Sequence, residues 1–334
     1  MRKIKILTFA CLLLLAACVE NVRKQNSDTA AISTNGLQLL TDHSPEWQFE
    51  NLQIYPVIAD EATIRANQRL DSYKTLAEGM ETPGFRITEI KQFGRTQERT
   101  FNALTVQNKG RDTIFMMSGD VITGGNQDRV IAYDDVIPPG TIKNIEVFCV
   151  EKGRWQYTDT TARESEKAVY AFSGYYNVAS PEVRHAVQRT GNQQEVWSAV
   201  ARVTTANKAE SGTNTYTALE HENEFKTKRD AYLRFFAGKL TNEPNVVGMV
   251  VVCNGKVLGV DIFGHPSLFS RQYDSLLHGY ATEAVTSQTI SPSSETEIRR
   301  QFLSVALLAG PDAKSNDQAG KCARQGAWIH LFLK

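Results

Sequence analysis

Two short polar runs, each closed by an arginine, carry the densest chemistry in this chain. The first reads Ser118-Gly119-Asp120-Val121-Ile122-Thr123-Gly124-Gly125-Asn126-Gln127-Asp128-Arg129-Val130. The second reads Val147-Phe148-Cys149-Val150-Glu151-Lys152-Gly153-Arg154-Trp155, with Pro138-Pro139-Gly140 between them. Gly124-Gly125 suits a tight turn whose amides point at an anion. Asn126, Gln127, Asp128 and Arg129 add amides, a carboxylate and a guanidinium fork. With Asp120, Glu151, Arg154 and Trp155 they form a set able to hold a small polar or anionic ligand. In a hydrolase, Glu151 or Asp128 would be the general base, with Arg129 and Arg154 holding a phosphate or carboxylate. The plainer arrangement is a glycine hairpin with solvated side chains. In that arrangement Arg129 pairs with Asp120 or Glu151, and a Glu151–Arg154 ion pair lies beneath the Trp155 indole.

Other chemistries fit poorly. The glycines lack the Gly-Lys-Ser/Thr ending of a phosphate loop and the GxGxxG of a dinucleotide fold, and neither HExxH nor GxSxG occurs. His185, His221, His265, His278 and His330 have no metal-ligand spacing, so no metal and no cofactor is expected. His330 alternates within the last apolar run and reads as an exposed strand residue. Asp134-Asp135 reads as a solvated turn. Cys149 is in phase with Ile145 and Val147 and reads as a small core hydrophobe, with no activating neighbour in view.

The elements that must position these groups change character along the chain. Strand-like runs at 47–58, 85–90, 100–107, 112–117, 129–133 and 143–151 stand at hairpin-like spacing. The runs at 129–133 and 143–151 should pair through the proline turn and bring Arg129 near Glu151. Thr75 and Glu78 form a capping box ahead of a short helix ended by Pro83-Gly84. Ser180-Pro181 opens a helix to about 189. Val196, Val200 and Val203 mark a second, and Phe225, Tyr232, Phe236 and Leu240 a third. Val246–Val252 and Lys256–Phe263 flank Asn254-Gly255, the strongest hairpin signal in the chain. A helix over 266–284 follows, then one opened by Ser294 and Glu297, a polar loop at 310–326 and a closing strand at 327–333. These features predict one α+β domain over 46–334, a mostly antiparallel sheet with helices from the middle and C-terminal third packed on it.

The Gly-Gly-Asn-Gln-Asp-Arg run, the double proline and the Cys-Val-Glu-Lys-Gly-Arg-Trp run resemble the ARPP family, the domain associated with ADP-ribosylglycohydrolase and the rhodanese/phosphatase superfamily. Looser agreement extends to Glu195-Val196-Trp197 and Gly259-Val260-Asp261-Ile262-Phe263, so the resemblance spans about residues 47 to 333. It implies a link to ADP-ribose or NAD-derived ligands and brings no agreed catalytic set to these positions. Three functions follow as expectations. The first is a binding module for a small polar or anionic ligand at 118–155. The second is a hydrolase of a phosphate- or ADP-ribose-type substrate, and the third a structural envelope protein without a ligand site.

The N-terminus bears on location. Arg2, Lys3 and Lys5 precede a short apolar run from Ile6 to Leu15, too short to span a bilayer and suited to a secretory signal over residues 1–17. Leu15-Ala16-Ala17-Cys18 resembles a bacterial lipobox, with Cys18 acylated, and residues 18–45 read as a polar tether. Val19, rather than an aspartate, points to the outer membrane. Removal of residues 1–17 leaves 34 basic against 37 acidic residues, near −3, so no basic field exists to attract nucleic acid. The expected partners are the membrane, through Cys18, and a small polar ligand. Cys149, Cys253 and Cys322 are an odd remainder, and a Cys253–Cys322 disulfide stays open. The anchoring reading predicts that labelled palmitate enters the wild-type chain and is lost in Cys18→Ser. Equal incorporation into both would refute it.

Overall fold

Asn254 and Gly255 take φ of 52° and 73°, the left-handed pair that a tight hairpin needs. The strands on either side pair antiparallel from Cys253↔Lys256 to Gly248↔Ile262 and form the centre of the largest sheet. The computed structural model describes residues 31–41, 45–90, 102–154, 171–287, 291–292 and 294–334. Cys18 and Trp155, singled out above, lie outside these residues.

The first part of the chain supplies β1 (Ala31–Thr34), β2 (Leu37–Leu40), β3 (Gln48–Phe49), β4 (Leu52–Ala59), α1 (Glu61–Ala66), β5 (Lys74–Thr75) and α2 (Leu76–Glu81). The strands of the middle are β6 (Phe85–Glu89), β7 (Ala103–Asn108), β8 (Ile114–Met116), β9 (Asp120–Gly124), β10 (Arg129–Ile131), β11 (Asp135–Ile137), β12 (Thr141–Cys149) and β13 (Phe172–Val178). Helices α3 (Pro181–His185), α4 (Gln193–Ala206) and α5 (Asn223–Phe236) follow. The last part is β14 (Val246–Cys253), β15 (Lys256–Phe263), α6 (Pro266–Thr286), α7 (Glu295–Ala306), β16 (Ala319–Arg324) and β17 (Ala327–Leu333).

The large sheet runs β1-β2-β4-β14-β15-β17-β16, with β3 added beside β4. The first and last parts of the chain therefore share one sheet, and the middle is inserted between β4 and β14. All eight residues of β14 are buried, because helices cover both faces. Tyr55, Val57, Val250 and Ile262 meet Ile298, Phe302 and Val305 of α7 on one side. Ile54, Met249, Val251 and Phe263 meet Phe269, Tyr273 and Leu276 of α6 on the other. Alternation along each strand sorts these residues between the two faces. The fold is α+β.

The inserted middle forms a second sheet, β13-β9-β10-β12-β7-β6. A bridge between Thr88 and Ala171 joins its two ends, so the sheet curls into a small barrel and removes its open edges. Ile87, Leu104, Val106, Ile122, Ile131 and Val147 fill the interior. A short sheet of β11, β8 and β5 lies beside it, with β5 and β8 parallel. The pairing foreseen through the proline turn is present: Arg129, Val130 and Ile131 stand opposite Cys149, Phe148 and Val147.

Thr75 and Glu78 make both halves of a capping box, whereas Ser294 accepts the Glu297 amide while the Glu297 carboxylate turns to Arg300. Past α3 the backbone widens into a π-turn at Ala186–Thr190 and ends at Gly191, φ 56°. Residues 31–40, read as part of a tether running to residue 45, belong to the fold instead, since β1 and β2 pair around Asn35-Gly36 and join β4. Asn35-Gly36 is the same turn signal as Asn254-Gly255, flanked by runs less apolar. The polar loop expected at 310–326 contains β16, which pairs with β17 through backbone groups indifferent to side-chain polarity. The strands β9 and β13 were not foreseen, because Gly, Ser and Asn break their alternation. Cys253 and Cys322 are both free thiols.

Gly259 is one position where only glycine fits. A Cβ there would lie 2.1 Å from the Tyr280 hydroxyl. Gly259→Ala is predicted to cost about 1–3 kcal/mol of stability by overpacking, read as a lower midpoint in urea unfolding. An unchanged midpoint would show that β15 and α6 are not held at this separation.

Candidate functional site

The turn between β9 and β10 needs glycine twice, with Gly124 at φ 115° and Gly125 at φ 55°. A Cβ on Gly125 would lie 2.6 Å from the Phe172 ring and 2.9 Å from Glu89 Oε1. The amides of this turn do not point at open space. Gly124 N–H donates to Asp128 Oδ1 at 3.2 Å, Gly125 N–H to the Ala171 carbonyl at 3.2 Å, and Asn126 N–H to Glu89 Oε1 at 2.9 Å. The anion nest read from Gly124-Gly125 is thus occupied by the protein's own acceptors.

Arg154 closes the two clusters on one another. Its Nε donates to Glu151 Oε2 at 2.8 Å, Nη1 to the Gly125 carbonyl at 3.1 Å, and Nη2 to the Gly124 carbonyl at 3.3 Å and Asp128 Oδ1 at 3.0 Å. The bond to Glu151, with Asp128 beside it, raises the guanidinium pKa above its ordinary value against the opposing effect of burial. Asp128 Oδ2 accepts from Thr215 at 2.9 Å and Thr217 at 3.2 Å, so four donors meet one carboxylate. Glu151 also accepts the Asp128 amide at 3.1 Å, and the Gln127 amide donates to the Glu151 carbonyl at 2.7 Å. Gln127, Asp128, Arg129 and Glu151 are buried, while the Arg154 side chain keeps 30% of its surface exposed.

Arg129 pairs with neither acid named for it in the sequence. It stands opposite Cys149 on the barrel strands, and its Nη2 lies 3.5 Å from Glu89 Oε1, the pair being 1% and 11% exposed. Glu151, two residues beyond Cys149, takes Arg154 instead. Glu89 was missed because nothing in sequence distance links it to the block. The register of β6 and closure of the barrel bring it there. Arg129 Nη1 donates to Gln127 Oε1 at 3.3 Å, but Arg129 Nε and Asn126 Oδ1 are buried with no hydrogen-bond partner among the described residues. Cys149 is buried as expected, and burial pushes its thiol pKa up despite Arg129. Gln193 bonds both its backbone groups, at 2.8 Å each, completing the strand edge that β7 leaves.

Asp120 stands apart from this clasp. It accepts from Met117 N at 2.8 Å, Tyr175 Oη at 2.9 Å and Gln272 Nε2 at 3.3 Å. Complete burial pushes its pKa up to about 7, with Asp134 adding to the rise against these hydrogen bonds. Nearby lies a second buried network that sequence reading overlooked. Asp261 receives Arg184 Nη1 at 3.2 Å and Nη2 at 2.8 Å, the Tyr280 hydroxyl, and His330 Nε2 at 3.1 Å. His330 Nδ1 reaches Asp134 Oδ2 at 2.8 Å, and Asp134 Oδ1 accepts the Ser118 amide at 2.8 Å. His330 is therefore fully buried rather than exposed, and Asp134 holds it rather than facing water. Gly119, φ 98°, lets Arg184 pass, since a Cβ would lie 2.7 Å from its Cγ. The available signal was Asp261 itself, a charge inside an apolar strand. Among the described residues no three His, Cys, Asp or Glu side chains are grouped to hold a metal.

The chain matches the model of ARPP-1, the ARG and Rhodanese-Phosphatase-superfamily-associated Protein domain, over residues 41–325. It belongs to that family. No curated protein and no solved structure matches it. The matched span holds the whole Arg154 clasp and, of the second network, Asp134, Arg184, Asp261 and Tyr280. His330 and the β1–β2 hairpin lie just outside it.

The second network should make the ARPP-1 body sensitive to alkali. Burial alone would lower the His330 pKa, but Asp134 and Asp261 raise it to about 9, above the ordinary value near 6.5. A raised folded-state pKa gives stability that is complete below the unfolded value and lost as pH climbs through the folded one. Asp120, raised to about 7, acts in the same direction at lower pH. Unfolding free energy should thus fall between about pH 6.5 and 9, and His330→Gln, less stable throughout, should flatten that segment. A wild-type curve level across the window would contradict an imidazolium at this place.

Proposed function

We propose that this ARPP-1 protein is an envelope lipoprotein, held at the outer membrane by acylated Cys18, whose clasp region binds a small polar ligand rather than hydrolysing one. Among the described residues no helix is long and apolar enough to cross a membrane. The observation that carries the binding reading is the distribution of spent and unspent groups. Asp128 has four donors on two oxygens, and Glu151 is buried against Arg154. Both carboxylates are thus engaged in holding the clasp together, which argues against either as a general base poised toward a water. Asn126 Oδ1 and Arg129 Nε are an acceptor and a donor left unmatched, beside the partly exposed Arg154. Such groups favour a ligand that supplies one donor and one acceptor.

A structural role is the second reading, and the closure of both clusters by Arg154 favours it. A thermal-shift screen of the detergent-solubilised full chain with nucleotides, ADP-ribose, sugars and peptides separates the two. A ligand at 100 times its dissociation constant stabilises by about 2.7 kcal/mol. Arg129→Ala should cost about 3–5 kcal/mol because Glu89 is left without its partner, so it reports on folding. Asn126→Ala should leave the melting temperature nearly unchanged and abolish the ligand shift. Hits that survive Asn126→Ala intact would leave the clasp a purely structural device.

A further inference from the structure

A β-bulge in β13 turns a second polar cluster toward α6. The register with β9 slips between Tyr175 and Val178, and bulges re-aim side chains in this way. Tyr175 then reaches Asp120, while Tyr176 donates its hydroxyl to Glu220 in the 3-10 turn Tyr216–His221. Arg229 of α5 grips the same carboxylate with both terminal nitrogens, Nη2 to Oε2 at 3.2 Å. His278 of α6 brings Nε2 to 3.6 Å from Glu220 Oε1 and stands edge-on to the Tyr176 ring, centroids 5.2 Å apart.

Two features of this cluster are unspent. Glu220 is 30% exposed and its Oε1 faces Tyr176, Arg229 and His278, whereas among the described residues Oε2 is bonded by Arg229. His278 is 6% exposed, and its Nδ1 is buried with no hydrogen-bond partner among the described residues. Burial, with Arg229 close by, lowers the imidazole pKa despite Glu220, which favours the neutral ring. The carboxylate beside Nε2 draws the ring hydrogen there and leaves a lone pair on Nδ1. A buried acceptor without a donor is costly.

We propose that Glu220, His278 and Tyr176 form a second ligand site, distinct from the clasp, for a small neutral polyol or sugar. One hydroxyl donates to His278 Nδ1 and another to Glu220 Oε2. The charges favour a neutral ligand. Glu220 and Asp230 outweigh Arg229, which disfavours anions, and an ammonium would have to share the Glu220 carboxylate with the guanidinium already on it. Hydroxyl groups are the donors that match His278 Nδ1 and the remaining lone pair of Glu220 Oε2 without adding charge.

The test is a nitrogen-15 histidine ring spectrum of the full-length protein, titrated with D-glucose, D-ribose and myo-inositol. The His278 Nδ1 signal, assigned by its absence in His278→Gln, should shift saturably with at least one of them. Glu220→Gln should weaken that binding about tenfold or more, as for losing a hydrogen bond to a charged group. Asn126→Ala should leave it unchanged, which keeps this site separate from the clasp. If none of the three compounds moves the Nδ1 signal, a buried water is its partner and the proposal fails. It fails equally if Glu220→Gln binds as the wild type does. Because the first measurement uses unaltered protein, an unfolded variant cannot leave the question open.

Discussion

A carboxylate buried at Asp261 stays ionised only because Arg184 and His330 face it. Burial alone would raise its pKa, and those two cations hold it well below the usual carboxylate range. The groups involved come from distant parts of the chain, which also meet through a shared apolar core. Asp261 is on β15, His330 on β17, Arg184 on α3 and Asp134 between β10 and β11. Removing any one of them strands a buried charge, at a cost of about 3–5 kcal/mol. The network therefore acts with that apolar core to set how the inserted middle of the chain sits against the large sheet. Gly119, shaped to let Arg184 through, belongs to the same constraint.

The Arg154 clasp repeats that logic at the other end of β9. Here the charged groups join the β9–β10 turn, the end of β12 and the threonines that precede and open the 3-10 turn Tyr216–His221. Because that turn also carries Glu220, the clasp holds the second polar cluster in place from behind. The whole arrangement depends on the barrel being closed, since Glu89 and Arg129 meet inside its end. A ligand at either place would meet a largely preformed set of donors and acceptors, which keeps the ordering cost of binding small.

The apolar alternation around Asn254-Gly255, the capping box at Thr75 and the helices at 181, 193, 223, 266 and 295 were all legible locally, because each depends on neighbours within a few residues. So was the pairing of β10 with β12, since a short proline connection leaves few alternatives. Cys149 was correctly placed in the core by its phase with Val147. The strands β9 and β13 were not legible, because Gly124, Gly174, Ser173 and Asn177 look like loop residues. Their strand character comes from partners across the barrel and not from their own side chains.

Charge pairing shows the limit most clearly. The two arginine clusters and the residue types able to hold a polar group stood in the sequence, as did the family they belong to. Which acid meets which base did not. Arg129 takes Glu89 at a separation of forty residues rather than Asp120 or Glu151, and His330 meets Asp134 nearly two hundred residues away. Local propensity, turn chemistry and hydrophobic phase act over a few residues and are written in the chain. The partner of a buried charge is set by barrel closure and by the packing of the insertion on the sheet, so only the tertiary structure decided it.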